Sequence, residues 1–76
     1  MRAFVDANTI VSGLLFAGNE AVLLELGRLR ALRLLTNEYV LGEVRAALKR
    51  QELRLTEEEQ QRLMKYTLEC TSIVED

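Results

Sequence analysis

The sequence predicts an α/β domain in which a short parallel sheet of about three strands is flanked by about four helices. Three observations lead there. Ala3, Phe4 and Val5 form an apolar run with no polar alternation, closed by Asp6, which suits a parallel strand covered on both faces. Four later stretches carry apolar residues at helical spacing, and two short apolar segments, 33–36 and 71–74, follow them in pairs. The order β-α-α-β-α-α-β, with helices between successive strands, then points to parallel pairing through right-handed crossovers.

The first strand covers residues 2–5. Beyond it, Asn8 or Thr9 suits the cap of a short helix, on which Ile10, Val11, Leu14 and Leu15 have i, i+1, i+4, i+5 spacing and which ends near Gly18. A second helix runs from near Asn19 to near Arg30. Val22, Leu23, Leu26 and Leu29 share one face of it, with Glu25 and Arg28 outside. Gly27 costs this helix about 1 kcal/mol relative to Ala. The segment 33–36 is placed as a strand by its position between two helical patterns. Asn37 is a good cap for a third helix over 38–50, whose stripe is Val40, Leu41, Val44, Ala47 and Leu48. Residues 51–55 connect it to a fourth. Thr56 and Glu59 match the S/T-x-x-E capping box, and Leu63, Met64, Thr67 and Leu68 point inward from the helix they open. Residues 71–74 are the third strand. No repeat, low-complexity tract or linker interrupts the chain, so 1–76 reads as one small domain.

Composition bounds the chemistry. A chain near this size buries only about 60% of its unfolded surface, so its core is marginal and a partner chain is favoured. Apolar residues at 49% and charged residues at 29% are globular values. The apolar runs fall far short of the roughly 18 residues a membrane span needs, and no basic segment leads into an apolar one as in a secretory signal. The expectation is a soluble, cytoplasmic protein with no membrane partner. Without His there is no Ser-His-Asp or Cys-His pair and no His-ligated zinc. Cys70, the lone cysteine, forms neither an internal disulfide nor a thiolate cage, and beside a strand it is expected to be buried and inert. Ten Lys and Arg against twelve Asp and Glu give a net charge of −2, hence no overall attraction for nucleic acid. Carboxylate chemistry remains.

Asp6 stands at the carboxyl end of the first strand, where open α/β sheets bind ligands. Two roles suit it there, a helix cap and a metal ligand. Asn8 can orient Asp6, hold a metal-bound water, or cap the helix itself. The third helix offers Glu38 and Glu43 as a second carboxylate. The helix dipole accounts for Glu38, by about 0.3–1 kcal/mol. At about 100° per residue, Glu43 instead lies beside the stripe edge made by Val40 and Ala47. The first and third helices both rise from the same edge of the sheet, so two carboxylates can converge there. Carboxylates without His suit Mg²⁺ or Mn²⁺, which keeps its waters and binds weakly through one or two carboxylates until substrate phosphate completes the shell. Such a metal hydrolyses phosphodiesters. Arg28, Arg30 and Arg33, and Arg45, Lys49 and Arg50, either contact phosphates or form solvated helix faces. Phe4, Phe16, Tyr39, Met64 and Tyr66 read as core or boundary packing.

Three stretches, MRAFVDANTIVSGLL at 1–15, LLTNEYVLGEV at 34–44, and LTEEE at 55–59 leading to CTSIVED at 70–76, together resemble the N-terminal part of the PIN-domain family. The likeness is greatest to its small prokaryotic members of the toxin type from toxin–antitoxin systems. The resemblance implies a metal-dependent ribonuclease, a hydrolase with magnesium as cofactor and RNA as substrate. Asp6 would match the first acidic ligand and Glu43 the second, both catalytic through the metal. Asn8 would match the polar residue beside the first acid, and Ser12 the small hydroxyl residue of the next helix. Ala7 stands where Thr or Ser is usual. Family members are nearly twice as long, with two more strands and two more acidic positions beyond the point where this sequence stops, and Asp76 falls just before the third acid. The implied domain is therefore an incomplete, truncated PIN-like one, inactive if the missing acids are indispensable, or an incomplete reading of a longer gene. In the family's sheet order, 3-2-1-4-5, such a domain leaves residues 3–5 as an apolar edge, which invites a homo-oligomer or a complementing partner such as an antitoxin. The alternative is a non-catalytic α/β module for oligomerisation or antitoxin binding.

Overall fold

In the computed structural model, which describes residues Met1–Glu75, strands β1 (Arg2–Phe4), β2 (Arg33–Thr36) and β3 (Thr71–Ile73) form one parallel sheet in the order β1-β2-β3. Arg2, Ala3 and Phe4 stand opposite Arg33, Leu34 and Leu35, while Leu34, Leu35 and Thr36 stand opposite Thr71, Ser72 and Ile73. The α/β class, the three strands and the four helices are as the sequence predicts. Asp76 lies outside the described residues.

The expectation of a first strand covered on both faces is corrected. Arg2, Ala3 and Phe4 are all exposed, Phe4 by 53%, because β1 is an edge strand and even Ala3, in register with buried Leu34, lies beyond the helices' main contacts with the sheet, which fall on β2 and β3. Buried Leu34 and Thr36 alternate with half-buried Leu35 along β2. The side chain of Leu34 lies against Gly27 of α2 (Asn19–Arg28), which marks the helix side of the sheet.

Helix α1 (Ala7–Leu15) begins earlier than its apolar spacing suggests. Its cap is Asp6, whose Oδ1 accepts the Thr9 N–H at 2.9 Å, so Asn8 and Thr9 sit inside the first turn. It stops at Leu15, short of Gly18, and α2 departs at 98° to it. Helix α2 ends at Arg28, and Arg30 follows in the left-handed region at φ 65°. Its buried face differs from the expected stripe: Leu24 is fully buried, whereas Val22 and Leu29 are more than half exposed. The cause is Gly27. A Cβ there would stand 2.4 Å from the Cys70 carbonyl oxygen and 2.7 Å from Leu34 Cδ1, so the bare backbone lets α2 lie directly on β2 and the start of β3. That contact turns Leu24, not Val22 or Leu29, inward.

Helix α3 (Glu38–Leu48) has its expected cap, with Asn37 Oδ1 accepting the Val40 N–H at 2.8 Å, and buries Val40, Leu41, Val44 and Leu48. It ends two residues sooner than expected. A 3-10 turn over Gln51–Leu53 then leads to α4 (Glu57–Cys70). The capping box is complete: Thr56 Oγ1 accepts from the Glu59 N–H at 3.0 Å and Glu59 Oε1 from the Thr56 N–H at 2.8 Å. Thr67 and Cys70 are buried, but Leu68 is 47% exposed. The inward face follows 67 and 70 as the helix runs under Gly27, which leaves Leu68 about 100° round.

The core gathers Val5, Ile10, Leu24, Leu34, Val40, Val44, Leu48 and Cys70. Burial pushes the Cys70 thiol pKa up, as suits an inert cysteine. Of the aromatic residues read as packing, Phe4, Phe16 and Tyr39 are exposed, since each lies off the face its element buries. Tyr66 is half-buried and donates its hydroxyl to Glu25 Oε1 at 2.8 Å. No single helix among the described residues is long and apolar enough to cross a membrane.

Candidate active site

Because β1 and β2 are parallel neighbours, their carboxyl ends share one edge of the sheet. Asp6 follows β1 and caps α1; Asn37 follows β2 and caps α3. The two helices rise from that edge side by side. Between them runs an open groove of about 320 Å³, lined by Ala7, Asn8 and Val11 of α1 and by Glu43 and Ala47 of α3, with Arg50 just beyond that helix. Small side chains keep it open. Asn8 and Glu43 are its polar walls and Arg50 its cation.

The structure thus brings Asn8 and Glu43 to one groove and places Asp6 immediately before the groove residues Ala7 and Asn8, though Asp6 does not itself line it. The N–H of Thr9 holds the Asp6 carboxyl below its usual range, so the acid is ionised while it caps. Of the two roles read for Asp6, the structure shows the helix cap. Glu38 is exposed in the first turn of α3 and does not line the groove. Ser12 is half-buried; its carbonyl accepts the Phe16 N–H at 3.0 Å, and it too stays out of the lining. At the carboxyl end of β2, the Thr36 hydroxyl is buried with no partner among the described residues.

A hard cation can be tested against this donor set. The groove supplies a carboxylate from Glu43 and an amide oxygen from Asn8, with Asp6 next in the chain. No group of three or more His, Cys, Asp or Glu able to enclose a metal is found among the described residues. These donors are too few to build a cage by protein alone; oxygen donors of this kind are the type that Mg²⁺ or Mn²⁺ takes where water fills most of its shell.

The basic runs separate in space. Arg28 is paired with Glu25, which it and the Tyr66 hydroxyl pull down to a pKa of about 2. Arg45 and Lys49 line a different groove, of about 460 Å³ between α3 and α4, floored by Met64 and Leu68. Arg30 and Arg33 share a third depression with Ser72. Only Arg50 reaches the Asn8–Glu43 groove. It lies just past the end of α3, in extended backbone ahead of the 3-10 turn, and no local pattern in the sequence sets it apart from Arg45 and Lys49.

Comparison of the chain with protein-family models, with curated proteins and with solved structures finds no match.

Proposed function

We propose that this chain is a PIN-like, toxin-type ribonuclease module that acts on RNA with Mg²⁺ or Mn²⁺ held weakly by Asp6 and Glu43. The observation that carries the reading is the shared groove: Asn8 and Glu43, singled out from distant parts of the sequence, face one cleft at the carboxyl edge of the sheet, next to Asp6. In this reading Asp6 and Glu43 are the acidic ligands and Asn8 orients the cation's water shell. Arg50 takes a substrate phosphate. Ser12 supports the site only through its place in α1. When bound, the metal would supply an activated water and neutralise charge at the phosphodiester.

The test compares the wild-type chain with Asp6→Asn and Glu43→Gln in Mn²⁺- and Mg²⁺-dependent cleavage of single-stranded RNA. Asn also accepts a helix N–H, so Asp6→Asn keeps the cap of α1 while removing the anionic ligand. The expected result is loss of cleavage in both variants with unchanged circular dichroism. Equal rates in all three would remove the catalytic assignment.

A second reading is favoured by the edge of the sheet. β1 is hydrogen-bonded to β2 through Val5 N–H to the Leu35 carbonyl and Arg33 N–H to the Met1 carbonyl, so the backbone groups of Arg2 and Phe4 point away from the sheet. In that reading the chain is a non-catalytic module, and a second copy or an antitoxin-type protein adds along β1. Mg²⁺ titration that leaves the resonances of Asp6 and Glu43 unmoved, with no RNA cleavage, would favour it.

A further inference from the structure

A chain of net charge −2 keeps one strongly basic corner. Residues 26–36, which lead from the end of α2 into β2, hold Arg28, Arg30 and Arg33 and no acid. Arg28 is neutralised by Glu25. Arg30 and Arg33 are not: with Leu32 and Ser72 they line an open depression of about 330 Å³. In register with Arg33 on the neighbouring strand stands Arg2, and like charges side by side on adjacent strands are destabilising. Arg2, Arg30 and Arg33 have no ion-pair partner among the described residues.

A helix carboxyl terminus favours a nearby cation, and Arg28, in the last turn of α2, already fills that role. Arg33 and Ser72 lie instead on the face of the sheet turned away from the helices, since they alternate with buried Leu34 and Thr71. Arg30 closes the turn after α2. Its N–H donates to the Gly27 carbonyl at 3.1 Å and the Ala31 N–H to the Leu26 carbonyl at 3.0 Å, with Arg30 left-handed at φ 65°. Glycine is the usual residue at that point of a helix end, so an arginine stands there against the preference of the backbone, and it lines the depression. The hydroxyl of half-buried Ser72, at the same depression, makes no hydrogen bond among the described residues.

We propose that this depression binds a terminal phosphate, the group carried by inorganic phosphate and by phosphate monoesters. The two guanidinium forks of Arg30 and Arg33 match phosphate oxygens, and the Ser72 hydroxyl donates a further hydrogen bond. Charge selects the terminal group over a backbone diester. A monoester phosphate carries about −1.5 to −2 at neutral pH, a diester about −1, and Arg30 and Arg33 with Arg2 beside them supply three positive charges. Binding relieves the repulsion between Arg2 and Arg33. The depression begins at the amino end of β2, away from the Asn8–Glu43 groove at the carboxyl edge of the sheet, and the proposal does not rest on the nuclease reading. Free phosphate, a small monoester and the 5′ end of an RNA share this chemistry.

The test titrates the full, isotope-labelled chain with inorganic phosphate, with AMP, and with a short uridine oligonucleotide made with and without a 5′ phosphate, at constant ionic strength and without divalent metal. The expected result is a saturable shift of the Leu32, Arg33 and Ser72 amide resonances by phosphate or AMP, with a Kd of about 1–10 mM, which sodium chloride does not reproduce. Binding should weaken severalfold from about pH 7.5 to about pH 5, where the ligand takes up its second proton. Arg30→Gln with Arg33→Gln should abolish it. Arg30→Gly keeps the left-handed turn at less cost, so it should weaken binding about tenfold with thermal stability retained or raised, which separates loss of the site from loss of the fold. A 5′-phosphorylated oligonucleotide that binds tighter than its unphosphorylated twin makes the RNA end a ligand, and one that does not confines the site to small phosphates. The proposal is overturned by the absence of any phosphate response, by a response that chloride matches, or by one that persists in folded Arg30→Gln with Arg33→Gln. Oligonucleotide binding indifferent to the 5′ phosphate, with no response to AMP or phosphate, overturns it as well and assigns the arginines to the nucleic-acid backbone. None of these readouts depends on RNA cleavage, so this proposal and the nuclease reading can fail separately.

Discussion

Replacing Gly27 by Ala sets two effects of known sign against each other. In a helix interior Ala is favoured over Gly by about 1 kcal/mol, and a reading of α2 in isolation makes the substitution stabilising. The tertiary structure reverses this. The new Cβ would fall 2.4 Å from the Cys70 carbonyl oxygen and 2.7 Å from Leu34 Cδ1, with Leu34 Cγ at 2.9 Å. Leu34 is almost wholly buried and has little room to turn, and the carbonyl is main chain at the junction of α4 with β3. Relief therefore requires α2 to move away from the sheet. Overpacking of this kind costs about 1–3 kcal/mol or more, and a backbone obstacle belongs at the upper end, so the net loss is about 2 kcal/mol once the propensity gain of about 1 kcal/mol is deducted. For a chain of this size that lowers Tm by roughly 8–16 °C. The assay is urea and thermal unfolding followed by far-ultraviolet circular dichroism, with Gly42→Ala as the control. Gly42 is in α3 with nothing within 4 Å of its Cβ position, so the same substitution there should stabilise by up to about 1 kcal/mol. A Gly27→Ala chain at least as stable as the wild type would refute the close-approach argument, and so would equal shifts in the two variants.

Other predictions follow from single contacts. Asn37→Ala should destabilise by about 1 kcal/mol through loss of the α3 cap, while Asn37→Asp should retain most of it; equal losses in urea unfolding would mean that the cap bond is not the source. The Glu25 carboxyl, held at about 2 in the folded chain by Arg28 and Tyr66 against an ordinary 4.5, stabilises fully above its ordinary value and loses that contribution as pH falls through its folded pKa. Tyr66→Phe removes one of the two bonds, so its Tm deficit should be present at neutral pH and shrink as the pH falls from 4.5 toward 2; a deficit independent of pH would contradict this. Thr36→Val replaces a buried hydroxyl that has no partner among the described residues, and should stabilise by about 1 kcal/mol. A loss of stability there would mean that the hydroxyl is hydrogen-bonded.

Most elements were legible because their determinants are local. Asn37 ahead of an amphipathic stripe marks α3, and the Thr56–Glu59 pair marks α4, since a side-chain cap is a contact three residues long. The sequence left the cap of α1 among Asp6, Asn8 and Thr9, which are all competent caps. What selects Asp6 is where β1 stops pairing with β2, a non-local event. Apolar spacing gave α2 the wrong inner face, since it counts hydrophobic side chains and cannot see that the closest approach occurs where there is none, at Gly27. For the candidate site, residue type and position singled out Asp6, Asn8 and Glu43. Arg50 was merged into a general basic run, and only the packing of α1 against α3 separates it from Arg45 and Lys49.

The sequence by itself determined the α/β class, the order of the elements, the caps of α3 and α4 and the absence of imidazole chemistry, because composition, short-range hydrogen bonding and periodicity are properties of neighbouring residues. Only the tertiary structure decided that all four helices are gathered on one side of the sheet, that Phe4 and Leu35 share its bare face, and that Asn8, Glu43 and Arg50 line one groove. Those outcomes depend on how closely backbones approach and on which strand neighbours which, and both are settled by contacts between residues far apart in the chain.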